Sequence, residues 1–259
     1  MTNTSFANPF FIVLCLLLHN IALLAQNTTT TPPPIRSVTL IGIDGAVQVP
    51  QADMAKRFGI NANIGGGVFR KTNTNWLFGV DADFLFGNRI VEDSLVGNLA
   101  TAQGYLLTQS GTYADIRFYE RGIAAFFKFG KVFPISPKNN NSGIVGLLGI
   151  GAMQHHIKII DKENSIRQLQ GDYLKGYDRL SNGPAVSAYL GYLYLANNKL
   201  INFSAGVELS YARTKNRRSL NFDTQTSETN PRNDILLGAR FSWFLPLYRK
   251  GSETKYYMN

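Results

Sequence analysis

A single cysteine, Cys15, and three histidines are all the thiol and imidazole metal ligands in these 259 residues. Cys15 lies within the apolar run 10–25, FFIVLCLLLHNIALLA, which is broken by His19 and Asn20. The run falls short of the roughly 20 residues that a spanning helix needs. It reads as a secretory signal peptide over residues 1–25, cleaved after Ala25, although residues 1–9 lack Lys and Arg and Leu23 stands where a small residue is usual. The small residues that precede a lipid-modified cysteine are missing before Cys15, so no lipid anchor is expected. The mature chain then starts at Gln26 without any cysteine, which excludes disulfides and thiolate metal sites. No later window approaches a spanning helix. The formal charge is +9, yet no stretch gathers Lys and Arg with interleaved aromatics on one element, and nucleic acid is excluded as a partner on that ground. No motif asks for a cofactor.

What the chain does have is glycine, aromatics and long period-two alternation: 24 Gly, 17 Phe and 12 Tyr. The clearest stretch is residues 57–89. Phe58, Ile60, Ala62, Ile64, Gly66 and Val68 fall on one face, with Gly and Asn between them. After the turn KTNTN the pattern returns, with Trp76, Phe78, Val80, Ala82, Phe84 and Phe86 against Leu77, Gly79, Asp81, Asp83, Leu85 and Gly87. Successive strand side chains point to opposite faces, so this is a hairpin of two long strands. Soluble strands average about 5–6 residues, whereas a tilted strand that crosses a bilayer needs about 9–11. A greasy aromatic face opposite a Gly, Asn and Asp face therefore reads as a transmembrane pair, with lipid on one side and a polar lumen on the other.

The rest of the chain repeats the theme. Residues 26–36 (NTTTTPPP at their core) are expected to be a flexible Thr/Pro-rich tether. Strands are expected at 37–47, with Asp44 on the inner face, then 57–70, 76–87, 115–133, 143–159, 184–196, 200–213 and 234–247. Alternation falters at Tyr119-Glu120-Arg121, which marks a bulge or the rim. Long polar connections at 90–114, 160–183 and 213–233 alternate with the short turns KTNTN, PISPKNNNS and Asn197–Lys199. Eight antiparallel strands with long loops at one end make an all-β, up-and-down transmembrane β-barrel over residues 37–247, followed by a polar tail at 248–259. Eight strands enclose only enough space for their own side chains.

The segments GINANIGGGV, WLFGVDADFLFG, GIVGLLGIGA, NFSAGVELSYA and ILLGARFSWF resemble the small outer-membrane β-barrels of Bacteroidota, in the broad OmpX/OmpA-like group. The resemblance covers roughly residues 37–247 and implies a cell outer-membrane location, with lipid, including lipopolysaccharide, and the barrel assembly machinery as partners. Such barrels commonly end on an aromatic strand, whereas here residues 248–259 follow. Some members of the group serve the type IX secretion apparatus, which makes an accessory barrel of a secretion system a further implication.

Two constellations carry chemistry. Asp81, Asp83, Lys128, Glu208 and Arg240 fall on inward faces, where unpaired charge is costly, so they are expected to pair with one another. A polar pathway is one reading of them, and a plug of paired charges in a closed barrel is the plainer one. His155 and His156 lie at the outer end of the fifth strand. Some eight-stranded barrels are lipid-modifying hydrolases that use His with Ser and an acid at the rim, and Ser181 and Asp172 lie in the adjoining loop. Adjacent residues face opposite ways, so only one histidine can point inward. Two histidines alone make a poor metal site. Trp76, Tyr192, Tyr211 and Trp243 suit interfacial girdles. The glycines of IGGGV lack the following Lys and helix of a phosphate loop and are expected to relieve crowding. The function expected is structural or interactive, through the outer loops, without an open pore and with a possible envelope protein partner. The alternatives are the hydrolase, the secretion accessory and a soluble lipocalin-like barrel that binds an apolar ligand.

Overall fold

A computed structural model describes residues 34–92, 95–108, 110–163, 165–196 and 201–248. The chain divides into two units, 1–32 and 33–259, and every described residue belongs to the second. The expected signal peptide, residues 26–33 of the tether, the turn 197–199 and residues 249–259 of the tail lie outside the described residues.

Eight strands form one closed antiparallel ring in sequence order. They are β1 (Val38–Gln51), β2 (Asn61–Lys71), β3 (Trp76–Gly87), β4 (Ile116–Phe133), β5 (Gly143–Asp161), β6 (Ser181–Leu195), β7 (Asn202–Asn216) and β8 (Arg232–Tyr248). The ring closes where β1 meets β8, in register from Val38↔Tyr248 to Gln51↔Ile235. Closure leaves no free sheet edge. The all-β, eight-stranded architecture is the one the alternation predicts.

The strand ends differ from the expected ones. The second strand begins at Asn61 and not at residue 57, because a one-turn helix, α1 (Ala52–Ala55), turns the chain first and leaves Arg57 and Phe58 buried beneath the loops. No bulge interrupts Tyr119–Arg121: β4 pairs with β5 without a break from Ile116↔Asp161 to Phe133↔Ile144. Glu120 points inward there and is completely buried. β5, β6, β7 and β8 all run further toward the loop end than the polarity of their sequences suggests.

Alternation sorts the side chains into two populations. Outward stand Ile43, Ile64, Val80, Phe127, Ile150, Leu190, Val207 and Phe241, all exposed. Inward lie three stacked layers. The layer at the short-turn end is apolar, built from Val38, Leu40, Phe69, Leu77, Val145 and Leu193 among others. A second apolar cluster at the loop end includes Met54, Phe58, Leu85, Met153, Ile157 and Leu236. Charged side chains fill the space between them.

In the IGGGV segment glycine is required at Gly65, whose partner in β3 is Asp83. A Cβ built there would overlap the Ala82 carbonyl and the Asp83 carboxylate. Gly65→Val is expected to lower stability by about 1–3 kcal/mol, the usual range for overpacking. Gly97→Ala, in open space, is expected to change it by less than about 0.5 kcal/mol. Urea titration of the folded barrel in detergent reads both, and equal midpoints would refute the crowding argument.

Candidate functional site: a charged lumen under a tied cap

Arg240 on β8 is the hub of the lumen. Its Nη1 lies 2.5 Å from Asp44 Oδ1 of β1 and donates at 3.2 Å to Asp83 Oδ1 of β3. Its Nη2 pairs with Asp83 Oδ2. Its Nε approaches Glu208 Oε2 of β7 to 2.5 Å, a charge contact without a well-aligned hydrogen bond. Lys128 of β4 donates to Asp81 Oδ2 at 2.6 Å and to Glu208 Oε1 at 2.5 Å. All six side chains are buried, and four carboxyls meet two cations. The structure thus brings together Asp81, Asp83, Lys128, Glu208 and Arg240, and adds Asp44. A cavity of about 30 Å³ adjoins this layer, lined in part by Tyr189, Ser204 and Ser242, which is room for a single water.

Other buried polar groups stand nearer the loops. Asn61 donates to both oxygens of the Glu120 carboxylate, at 2.9 and 3.0 Å. At the opposite end Lys71, expected in the first turn, is completely buried and donates to Asn141 Oδ1 at 3.1 Å.

The two histidines diverge as their adjacency requires. His155 is inward and fully buried; its Nε2 lies 2.9 Å from Asp234 Oδ2, which also accepts from Thr214 Oγ1 at 2.5 Å. Phe58 packs edge-on against the imidazole at 5.3 Å. His156 faces outward. Ser181 pairs with His155 in the β5–β6 register, but its Oγ donates to the Arg179 carbonyl at 3.1 Å and accepts from Arg57 at 3.3 Å. Among the described residues no hydrogen bond joins Ser181 to His155. Asp172 is exposed and paired with Lys175. Ser181, His155 and Asp172 therefore do not converge in the way nucleophilic catalysis demands.

Sequence reasoning missed the cap. Arg57 pairs with Glu228 (2.5 Å) and Glu92 (3.1 Å), and Arg179 with Glu92 (2.8 Å) and Asp223 (2.5 Å). Arg232 pairs with Glu228 (3.0 Å), and Arg218 grips Asp178 with two hydrogen bonds (2.5 and 2.8 Å). Asn98 donates to Tyr177 Oη and to the Phe222 carbonyl. These contacts tie the connections 52–60, 88–115, 162–180 and 217–231 to one another across the loop end.

An acid response of the cap is expected through Glu228. Burial alone would push its carboxyl up, but the charges and hydrogen bonds of Arg57 and Arg232 outweigh that and hold it below the usual carboxylate range. A carboxyl held low in the folded state stabilises fully above its ordinary value of about 4.3 and loses that contribution as pH falls through the lower folded value. Protease protection of loop 217–231 is therefore expected to persist from pH 7 to pH 5 and to fall below about pH 4. Glu228→Gln is expected to flatten that acid limb; an unchanged limb would place the pH dependence elsewhere.

No family model matches the chain, and no curated protein matches it. Among solved structures it is similar to Ail, the attachment invasion locus protein of Yersinia pestis, at 14% identity and a TM-score of 0.38, over 81% of this chain and 99% of that one. It is likewise similar to Neisserial surface protein A at 14% identity and 0.37, over 79% and 96%. A third such structure is the outer membrane protein OprG of Pseudomonas aeruginosa, at 11% identity and 0.37, over 85% and 99%.

Proposed function

We propose that this chain is an outer-membrane β-barrel whose role is structural or interactive, exercised through its tied outer loops and without an open pore. The observation that carries this reading is the belt on the outer wall. Along β4, Arg121 and Lys131 both face outward, and the outward residues between them are Ile123, Ala125, Phe127 and Phe129. Ten residue steps at ~3.4 Å span about 34 Å along the strand, or about 25 Å in height at the usual barrel tilt of ~40°. That is the height of the apolar band of a membrane barrel. Exposed apolar side chains continue the belt on the other strands, among them Ile43, Ile64, Val80, Ile150, Leu190, Val207 and Phe241. Aromatics mark its borders: Lys131 lies over the Trp76 ring and Arg121 over Tyr119.

A closed lumen is read from the interior, where two apolar layers and the paired charges fill the space between the strands, and the cavity beside the charges is about 30 Å³. For interaction, the loop 100–114 presents Tyr105 and Tyr113 with ring centroids 4.9 Å apart, both well exposed. The reading predicts that the purified chain stays monodisperse only with detergent or lipid, and that its compact form migrates faster than its boiled form on a gel. A chain that stays monodisperse in plain buffer would overturn it.

A further inference from the structure

Three cations stand in a row on the outer wall above the belt. Arg213 and Lys215 on the outward face at the loop end of β7, and Arg217 just past that end, are all exposed, above the apolar Leu209 and Tyr211. Arg217 Nε is held by Asn182 Oδ1 of β6 at 2.5 Å. None of the three forms an ion pair among the described residues, in contrast to the arginines of the cap. Unpaired cations at this height cost nothing in water, but their spacing along one strand face concentrates positive charge beside the hydrocarbon boundary.

The wall next to them is hollow. The β6–β7 ladder pairs Asn182 with Lys215 and then resumes only at Ala185↔Ala212. Pro184 lacks the N–H that would continue it. Across β5 and β4 the outward positions at this level are Ala152 and Ala125, which pair with each other in the β4–β5 register. The resulting depression, about 530 Å³, is bordered by Ile123 and Gln154 and reaches Arg217 at its upper end. Its floor is apolar, Arg217 borders it, and Arg213 and Lys215 stand beside it on β7.

We infer that this hollow seats one lipid of the outer leaflet, with its phosphate on Arg213, Lys215 and Arg217 and an acyl chain along Ala125, Ala152 and Pro184. The inference rests on the membrane reading above. It adds to that reading a specific site and a charge requirement. Charge complementarity selects an anionic amphiphile over a neutral one, because three guanidinium or ammonium groups without carboxylate partners are offered at headgroup height. The apolar lining of Ile123, Ala125, Ala152 and Pro184 selects a chain-bearing molecule over a free phosphate ion. Each basic residue near a charged lipid surface contributes roughly fivefold in binding, so the three together predict about a 100-fold preference for the phosphorylated form.

The test uses the full chain folded in neutral detergent and native mass spectrometry to read retained lipid. The probes are bisphosphorylated lipid A, the same lipid with both phosphates removed, and glucosamine 1-phosphate without chains. Wild-type protein is expected to retain the first far more than the second, to hold the third hardly at all, and to lose the preference as salt is raised. The variant R213Q/K215Q/R217Q is expected to abolish the preference. Ala152→Phe, which fills the hollow, is expected to lower retention of both acylated probes alike. Equal retention of the two lipids by wild type, a salt-independent preference, or a triple variant that binds as wild type does would each overturn the site. Equal holding of the chainless phosphate would reduce it to an ion site and refute the lipid. The wild-type arms need no variant to fold. A barrel that inserts into membranes yet shows no lipid preference sinks this inference alone, whereas a chain soluble without detergent sinks the membrane reading.

Discussion

Arg240→Met is expected to destabilise the barrel by at least about 3–5 kcal/mol, the range found when one partner is removed from a buried ion pair. The arithmetic of the lumen sets the direction. Arg240 contacts Asp44, Asp81, Asp83 and Glu208, and without it those carboxyls face Lys128 alone. They are too buried to recover hydration, and an unpaired buried charge costs more than the pair gained. Asp44→Asn should be much milder, because it removes a negative group from a cluster where carboxyls outnumber cations and leaves an amide oxygen to accept from Arg240 Nη1. Lys128→Met should fall between the two, since Lys128 contacts two carboxylates and not four. Urea titration of the folded band in detergent reads the series. Equal midpoints for Arg240→Met and Asp44→Asn would show that the network does not hold the barrel together as its geometry states.

How much of this was legible in the sequence depends on how local each feature is. Period-two alternation is local, so the inward positions of Asp81, Asp83, Lys128, Glu208 and Arg240 follow from their own strands. Asp44 is inward by the same logic, but its partner lies 196 residues away, and only closure of β1 on β8 brings the two together. The expected bulge in β4 and the expected ends of β7 differ from the structure for another reason. Above the belt both faces of a strand are polar, so the hydropathy signal vanishes at Tyr119-Glu120-Arg121 and at Lys215-Asn216. The backbone ladder needs no apolar side chain and continues through both. Arg57 escaped because Ala52 takes a positive φ of 54° and starts α1 without the glycine that usually announces such a bend. The cap was invisible because its ion pairs join residues such as Arg57 and Glu228, 171 apart, in loops that carry no periodic pattern.

The outward face offers the sharpest quantitative test, because the two possible solvents give different answers. Val80 sits midway between the two border cations, paired with Phe127 of β4, and is well exposed. In water, Val80→Arg would be a surface change within about 0.5 kcal/mol of neutral. In a bilayer, an arginine at the midplane of a barrel costs about 2–4 kcal/mol, falling to about 0–1 near the interfaces. Phe86, paired with Arg121, and Trp76, paired with Lys131, mark those interfaces. The series Trp76→Arg, Val80→Arg, Phe86→Arg is therefore expected to trace a hump, with the large loss at Val80 and small losses at either end. Folding into lipid vesicles over a urea gradient supplies the free energies. A flat series would mean that the Val80 position meets water, and the aromatic wall of β3 would then need another covering. A hump centred on Val80 would fix the membrane midplane on this residue, and with it the height at which Arg213, Lys215 and Arg217 meet the lipid headgroups.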